Sequence, residues 1–160
     1  MQEEVLISAH SSAPRRVLGV SVIGVLGFLL MYLAIMRPPS DFRLQVFLIV
    51  VGFCALWLAV RMWRASQAQL ELTQTVLRTS DGRVIAAMDN IASLDRSTFA
   101  FKPSNGFLLR LNKKGSKVWE PGVWWRLGRR VGVGGITSAP QTKAMSEIIS
   151  AIIAERETKS

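Results

Sequence analysis

The chain has 160 residues, carries 20 Lys and Arg against 11 Asp and Glu for a formal charge of +9, and is 49% hydrophobic. Its one cysteine excludes an intrachain disulfide, and one cysteine with one histidine supply no Cys/His metal pattern. His10 in the N-terminal segment and Cys54 inside an apolar run are not placed to form a nucleophile pair. The length accommodates one membrane hairpin and one small folded domain, not two large cores.

In chain order, residues 1–16 read as a mobile tail, with Ser11, Ser12 and Pro14 and an even balance of Glu3 and Glu4 against Arg15 and Arg16. Residues 17–36 and 44–60 follow as two apolar runs without a charged side chain. A helix rises ~1.5 Å per residue, so roughly 20 residues cover the ~30 Å hydrocarbon core of a bilayer. The first run fits directly. The second fits as 44–63 once Arg61 snorkels and Trp63 takes an interfacial place. With the loop 37–43 (Arg-Pro-Pro-Ser-Asp-Phe-Arg), they predict a transmembrane helical hairpin over 17–64. The first run exceeds a signal peptide's ~7–15-residue apolar region, lacks a small-x-small cleavage site and is followed at once by a second span, which makes it a retained anchor.

Small residues recur on one face of each run, Ser21, Gly24 and Gly27 on the first and Gly52, Ala55 and Ala59 on the second, and predict close helix packing. The uninterrupted apolar runs argue against a proton path or ion-coupled transport. Cys54 lies inside the second run as a packing residue. Arg15, Arg16, Arg61 and Arg64 flank the spans on one side and Arg37 and Arg43 on the other. From Arg61 onward, sixteen Lys and Arg face eight Asp and Glu. Both counts predict that the two termini and the domain over 65–160 are cytoplasmic.

Within that domain the pattern turns to short strands. Leu70 and Leu72 alternate with polar neighbours, and Val76-Leu77-Arg78 leads through Ser80-Asp81-Gly82, a hairpin signal, to residues 83–86. An extended segment over 91–101 slips its apolar phase between Leu94 and Phe99, which predicts a bulge. Residues 102–106 form a Pro- and Asn-Gly-containing turn into Phe107, Leu109 and Leu111, which share one face. Turns at 113–116 and 121–122 bound Val118-Trp119. Across 123–133, unbroken alternation puts Val123, Trp125, Leu127, Val131 and Val133 inside and Trp124, Arg126 and Arg130 outside. A helix begins at Ser138 as N-cap and runs to about 156, amphipathic through Met145, Ile148, Ile149 and Ile152. The class is therefore α+β: a two-helix transmembrane hairpin, then a curved antiparallel sheet or partial barrel of six or seven strands with a C-terminal amphipathic helix.

The element order, with Leu70-Glu-Leu-Thr, Asp81-Gly82-Arg83-Val84-Ile85 and Asp89-Asn90-Ile91, resembles bacterial membrane proteins that carry a pleckstrin-homology-like domain behind a two-helix anchor. The resemblance covers residues 69–156. It implies a seven-stranded sheet with a capping helix, a bacterial inner-membrane location and a role as a binding or scaffold module, and it brings no binding residue across.

An enzyme is not expected. His10 lies in the N-terminal segment, the four Asp and seven Glu are scattered, and Gly132-Val-Gly-Gly lacks the Gly-Lys-Ser/Thr of a phosphate loop. No cofactor is implied. The remaining functional feature is a basic surface with aromatics, Trp124, Arg126, Arg129 and Arg130 with Lys113, Lys114 and Lys117, suited to anionic lipid headgroups or to another membrane protein. Nucleic acid is disfavoured by the membrane tether and by the lack of a recognition motif. The expected function is an accessory or assembly component of an inner-membrane complex; the alternative is a transporter or enzyme subunit whose catalytic residues lie on another chain.

Overall fold

Residues 4–95 and 103–158 are described by the computed structural model, and they divide into two units, 13–64 and the remainder. The helical unit consists of α1 (Ala13–Met36) and α2 (Phe42–Ala65). Asp41 caps α2, its carboxylate accepting from the Arg43 N–H at 2.9 Å and its carbonyl from the Gln45 N–H at 3.1 Å. The Gln45 amide donates to the Ala34 carbonyl at 3.0 Å, which satisfies an acceptor that the last turn of α1 leaves open.

The helices meet through small residues. Gly27 and Gly52 are buried, and a Cβ on Gly27 would stand 3.0 Å from the Gly52 carbonyl oxygen and 2.9 Å from Leu56 Cγ. Ala59 and Ala34 are also buried, whereas Ser21 faces outward, so the packing seam runs through Gly24, Gly27 and Ala34. Both helices are long and apolar enough to cross a membrane, and only 11% and 17% of their most apolar windows are buried. Such exposure of Leu18, Phe28 and Phe53 is not that of core helices in a water-soluble protein.

The second unit holds nine strands among the described residues, in two antiparallel sheets. The first sheet has the order β1-β2-β3-β4, with β1 Val5–Ala9, β2 Leu70–Thr73, β3 Val76–Thr79 and β4 Val84–Ala87. The second has the order β5-β6-β9-β8-β7, with β5 Ile91–Asp95, β6 Phe107–Leu111, β7 Val118–Glu120, β8 Trp124–Leu127 and β9 Arg130–Val133. α3 (Ala139–Thr158) packs on β1, β5 and β6. Leu70, Leu72, Leu77, Ile85, Ile91, Leu109, Val131, Val133, Met145 and Ile149 are fully buried and form the core.

Two sequence expectations are corrected. The segment 1–16 is not simply a mobile tail: residues 5–9 are β1, paired with β2 in a register that sets Ala9 opposite Leu70. The helical hairpin is therefore inserted between two neighbouring strands of one sheet. Three residues connect β1 to α1 and four connect α2 to β2, and these connections belong to the sheet unit: Ser11 bridges Thr137, the Ser12 N–H reaches the Ile136 carbonyl at 3.2 Å and the Ser11 hydroxyl reaches the Ser66 carbonyl at 2.6 Å.

The second correction concerns 123–133, which is a hairpin and not one alternating strand. Gly128 sits at φ +62° in a two-residue loop that sets Leu127 opposite Arg130, the glycine placement that type II′ turns favour. Pairing through such a loop inverts parity, so Trp124 lies opposite Val133 and Arg126 opposite Val131 on the inner face, while Trp125 and Leu127 face out. Trp124 is 3% exposed and Leu127 58%. The split hairpin and β1 account for nine strands where the sequence suggested six or seven. β5 has a register shift at Ile91/Ser93, whereas the slip expected between Leu94 and Phe99 falls on residues outside the described ones. Asn105, in the predicted turn, takes a left-handed φ of 55°.

Candidate functional site

Among the described residues, no cluster of three His, Cys, Asp or Glu could hold a metal ion. The His10 backbone N–H donates to Gln141 Oε1 at 3.1 Å, and Cys54 is exposed on α2. A cavity of about 380 Å³ beside the first turns of α3 is lined by Asp95, Phe107, Thr142, Ser146 and Glu147. Its hydroxyls are engaged: Thr142 Oγ1 donates to the Asn105 carbonyl at 2.6 Å and Ser146 Oγ to the Lys143 carbonyl at 2.7 Å. Neither hydroxyl is paired with a base, so no activated nucleophile is assembled there.

The fold divides the basic and aromatic residues of this region, those singled out in the sequence and others, into three groups. Trp124 is a core side chain. Arg126 is a strut between the sheets: Nη1 donates to the Ile85 carbonyl at 2.9 Å and the Val84 carbonyl at 3.3 Å, Nε to the Ser116 carbonyl at 2.8 Å and Nη2 to Ser116 Oγ at 2.7 Å. The planar guanidinium thus closes the edge of β4 against the hairpin of β7 and β8, where backbone pairing is absent. A parallel link joins Arg83, beside the β3–β4 turn, to Glu120 on β7 at 2.6 Å, with Asp81 at 3.0 Å from the same guanidinium.

Asp81 also accepts a hydrogen bond from the Thr79 hydroxyl, and this contact, aided by the Arg83 charge against opposing burial, holds its carboxyl below the ordinary carboxylate value.

Lys113, Lys114 and Arg129 form the second group, exposed at one end of the second sheet. Asn90 fixes their turn by accepting from the Lys113 N–H at 2.8 Å, and the Gly115 N–H reaches the Gly128 carbonyl at 3.0 Å, which holds the two loops side by side.

The third group was not legible as a group. On the outer face of the second sheet, Trp119 and Trp125 are direct cross-strand partners, 48% and partly exposed, with Leu127 beyond them. The Trp125 indole lies over Gly132, where a Cβ would meet the ring at 2.4 Å, so only glycine at this position lets it lie flat on β9. Beside them Arg110 and Arg130 face each other across β6 and β9, both exposed. Neither has an ion-pair partner among the described residues; the outer face of β6, β9, β8 and β7 carries no carboxylate, and the nearest on that face of the sheet is Asp95 of β5, opposite Leu108. Correct parity across the 128–129 turn is the signal that would have found this set. A recess of about 500 Å³ lined by Lys117, Val118, Trp119, Trp125, Arg126 and Leu127 opens beside it.

Comparison with protein families, with curated proteins and with solved structures returns no match. The site is therefore read from its own geometry.

Proposed function

We propose that the chain is an integral membrane protein in which α1 and α2 cross the bilayer as a hairpin and present the sheet unit at the cytoplasmic surface of a bacterial inner membrane, as a binding and scaffold module for a membrane complex. The insertion of the hairpin between β1 and β2 carries this reading. Because Ala9 and Leu70 are register partners, both ends of the hairpin return to the same sheet, which suits an even number of crossings. The side is supported by Arg15, Arg16, Arg61 and Arg64 at those ends, two of them laid on tryptophans: Arg16 lies 4.8 Å from the Trp63 ring and Arg61 5.5 Å from Trp57.

A pleckstrin-homology-like kinship is part of the proposal, supported by two antiparallel sheets closed by a C-terminal helix. Action by binding is favoured by the exposed basic and aromatic surface together with the engaged hydroxyls of the α3 cavity.

Three measurements test the reading. The chain should resist alkaline extraction from membranes, and a phosphatase fusion after residue 160 should be inactive in the periplasm. Mild-detergent co-purification should recover a stoichiometric membrane partner. Extraction into the soluble fraction, or an active periplasmic fusion, overturns the topology; turnover or flux by the purified chain alone overturns binding as its function.

A further inference from the structure

The outer face of β6, β9, β8 and β7 joins exposed apolar surface with a facing pair of like charges. Trp119, Trp125 and Leu127 expose apolar surface in one row, and Arg110 and Arg130 place like charges directly across a strand pair. Like charges directly opposite each other destabilise a sheet, and locally unfavourable choices are concentrated at functional sites. A surface that bears several phosphates accommodates both, since guanidinium groups bind phosphate and indole rings favour the zone between headgroup and acyl chain.

We infer that this face docks on an anionic lipid bilayer, with Trp119, Trp125 and Leu127 entering the headgroup region and Arg110 and Arg130 holding lipid phosphates. The inference rests on the membrane anchoring proposed above. Charge selects the occupant: a second copy of the chain would bring the same unneutralised arginines against each other, whereas anionic lipid complements them. The bilayer is also the anionic surface that a chain with two membrane-length helices carries with it, and connections of three and four residues keep its effective concentration high.

The test uses the full chain in nanodiscs of phosphatidylcholine with or without phosphatidylglycerol. In a Cys54→Ser background, Leu127→Cys and, as reference, Ala151→Cys on the exposed side of α3 carry a nitroxide label, and its collisions with a water-soluble nickel chelate and with oxygen are measured. The Leu127→Cys label should lose several-fold of its nickel accessibility and gain oxygen accessibility only in the anionic discs, and high salt should reverse the change. Arg130→Gln should largely abolish the protection and Lys143→Gln should leave it. A label that stays open to nickel in anionic discs, protection that is equal in neutral discs, equal effects of the two charge variants, or protection that requires added membrane extract and hence a protein partner, each overturns the inference. Failure of the chain to incorporate into discs of either composition would instead count against the membrane reading on which it rests.

Discussion

Ser11 donates its hydroxyl to the carbonyl of Ser66 at 2.6 Å, so the connection entering the helical hairpin is fastened to the connection leaving it. Ser66 is 2% exposed, which shields this hydrogen bond from competing water. Ser11→Ala is expected to cost about 0.5–1.5 kcal/mol and to raise amide exchange in residues 10–12 and 66–69 above that of the sheet core. Exchange mass spectrometry of the full chain in detergent checks this; unchanged protection in those segments would show that the Ser12–Ile136 pairing alone holds them.

Arg126 offers a sharper test, because its four hydrogen bonds reach both Ser116 and the β4 carbonyls. Arg126→Ala should destabilise the sheet unit by about 2–3 kcal/mol, since bonds to a charged donor are among the stronger ones. Arg126→Lys should recover little, as one ammonium group cannot span Ser116 and Ile85 together. Thermal unfolding in the same detergent measures both variants.

Trp124→Ala and Trp125→Ala separate the two faces of β8. Removing the buried Trp124 should cost about 3–5 kcal/mol, and the half-exposed Trp125 distinctly less. Equal costs would contradict the inward and outward assignment.

Arg130→Thr should stabilise the fold by about 0.2–1 kcal/mol, as it relieves the facing Arg110 and places a β-branched residue in a strand. A stability gain in a variant with lost lipid protection would separate the role of this residue in folding from its role at the surface.

Asp81 sets a pH dependence whose sign is fixed by its depressed pKa. The carboxylate contributes stability that is fully present above the unfolded value of ~3.9 and is lost as pH falls through the lower folded value. Asp81→Asn should therefore lower the melting temperature at neutral pH and flatten its decline on the acid side, with Thr79→Ala acting in the same direction. Parallel melting curves for variant and parent below pH ~4 would mean that other carboxylates govern the acid limb.

What the sequence reveals here follows from the range of the interactions involved. The apolar runs, the alternation of Phe107, Leu109 and Leu111, the Asp81-Gly82 turn and the Met145 and Ile149 stripe are local patterns, and the fold obeys them. β1 is hidden because its partner lies on the far side of both helices, and five residues beside a Ser- and Pro-containing stretch carry too little pattern to declare a strand. The inner face of β8 is hidden because Gly128-Arg129 is a turn within a run already rich in glycine and arginine, and one missed turn exchanges every side chain on the strand between faces. That exchange puts Trp124 and Arg126 on the contact surface in a reading of the sequence and takes Trp125 and Leu127 off it.

The place of the hairpin within the first sheet also has a consequence in time. β1 is synthesised before α1, yet the strand it pairs with follows α2, so during translation β1 waits with unsatisfied backbone groups while both apolar helices leave the ribosome. Its pairing closes one of the longest loops in the chain, and such closure is slow when the intervening segment is free. Insertion of the two helices as a compact pair would bring the loop ends together first. On the topology proposed above, membrane insertion would then be the step that licenses completion of the sheet, and a chain delayed before that step would display an open β2 edge.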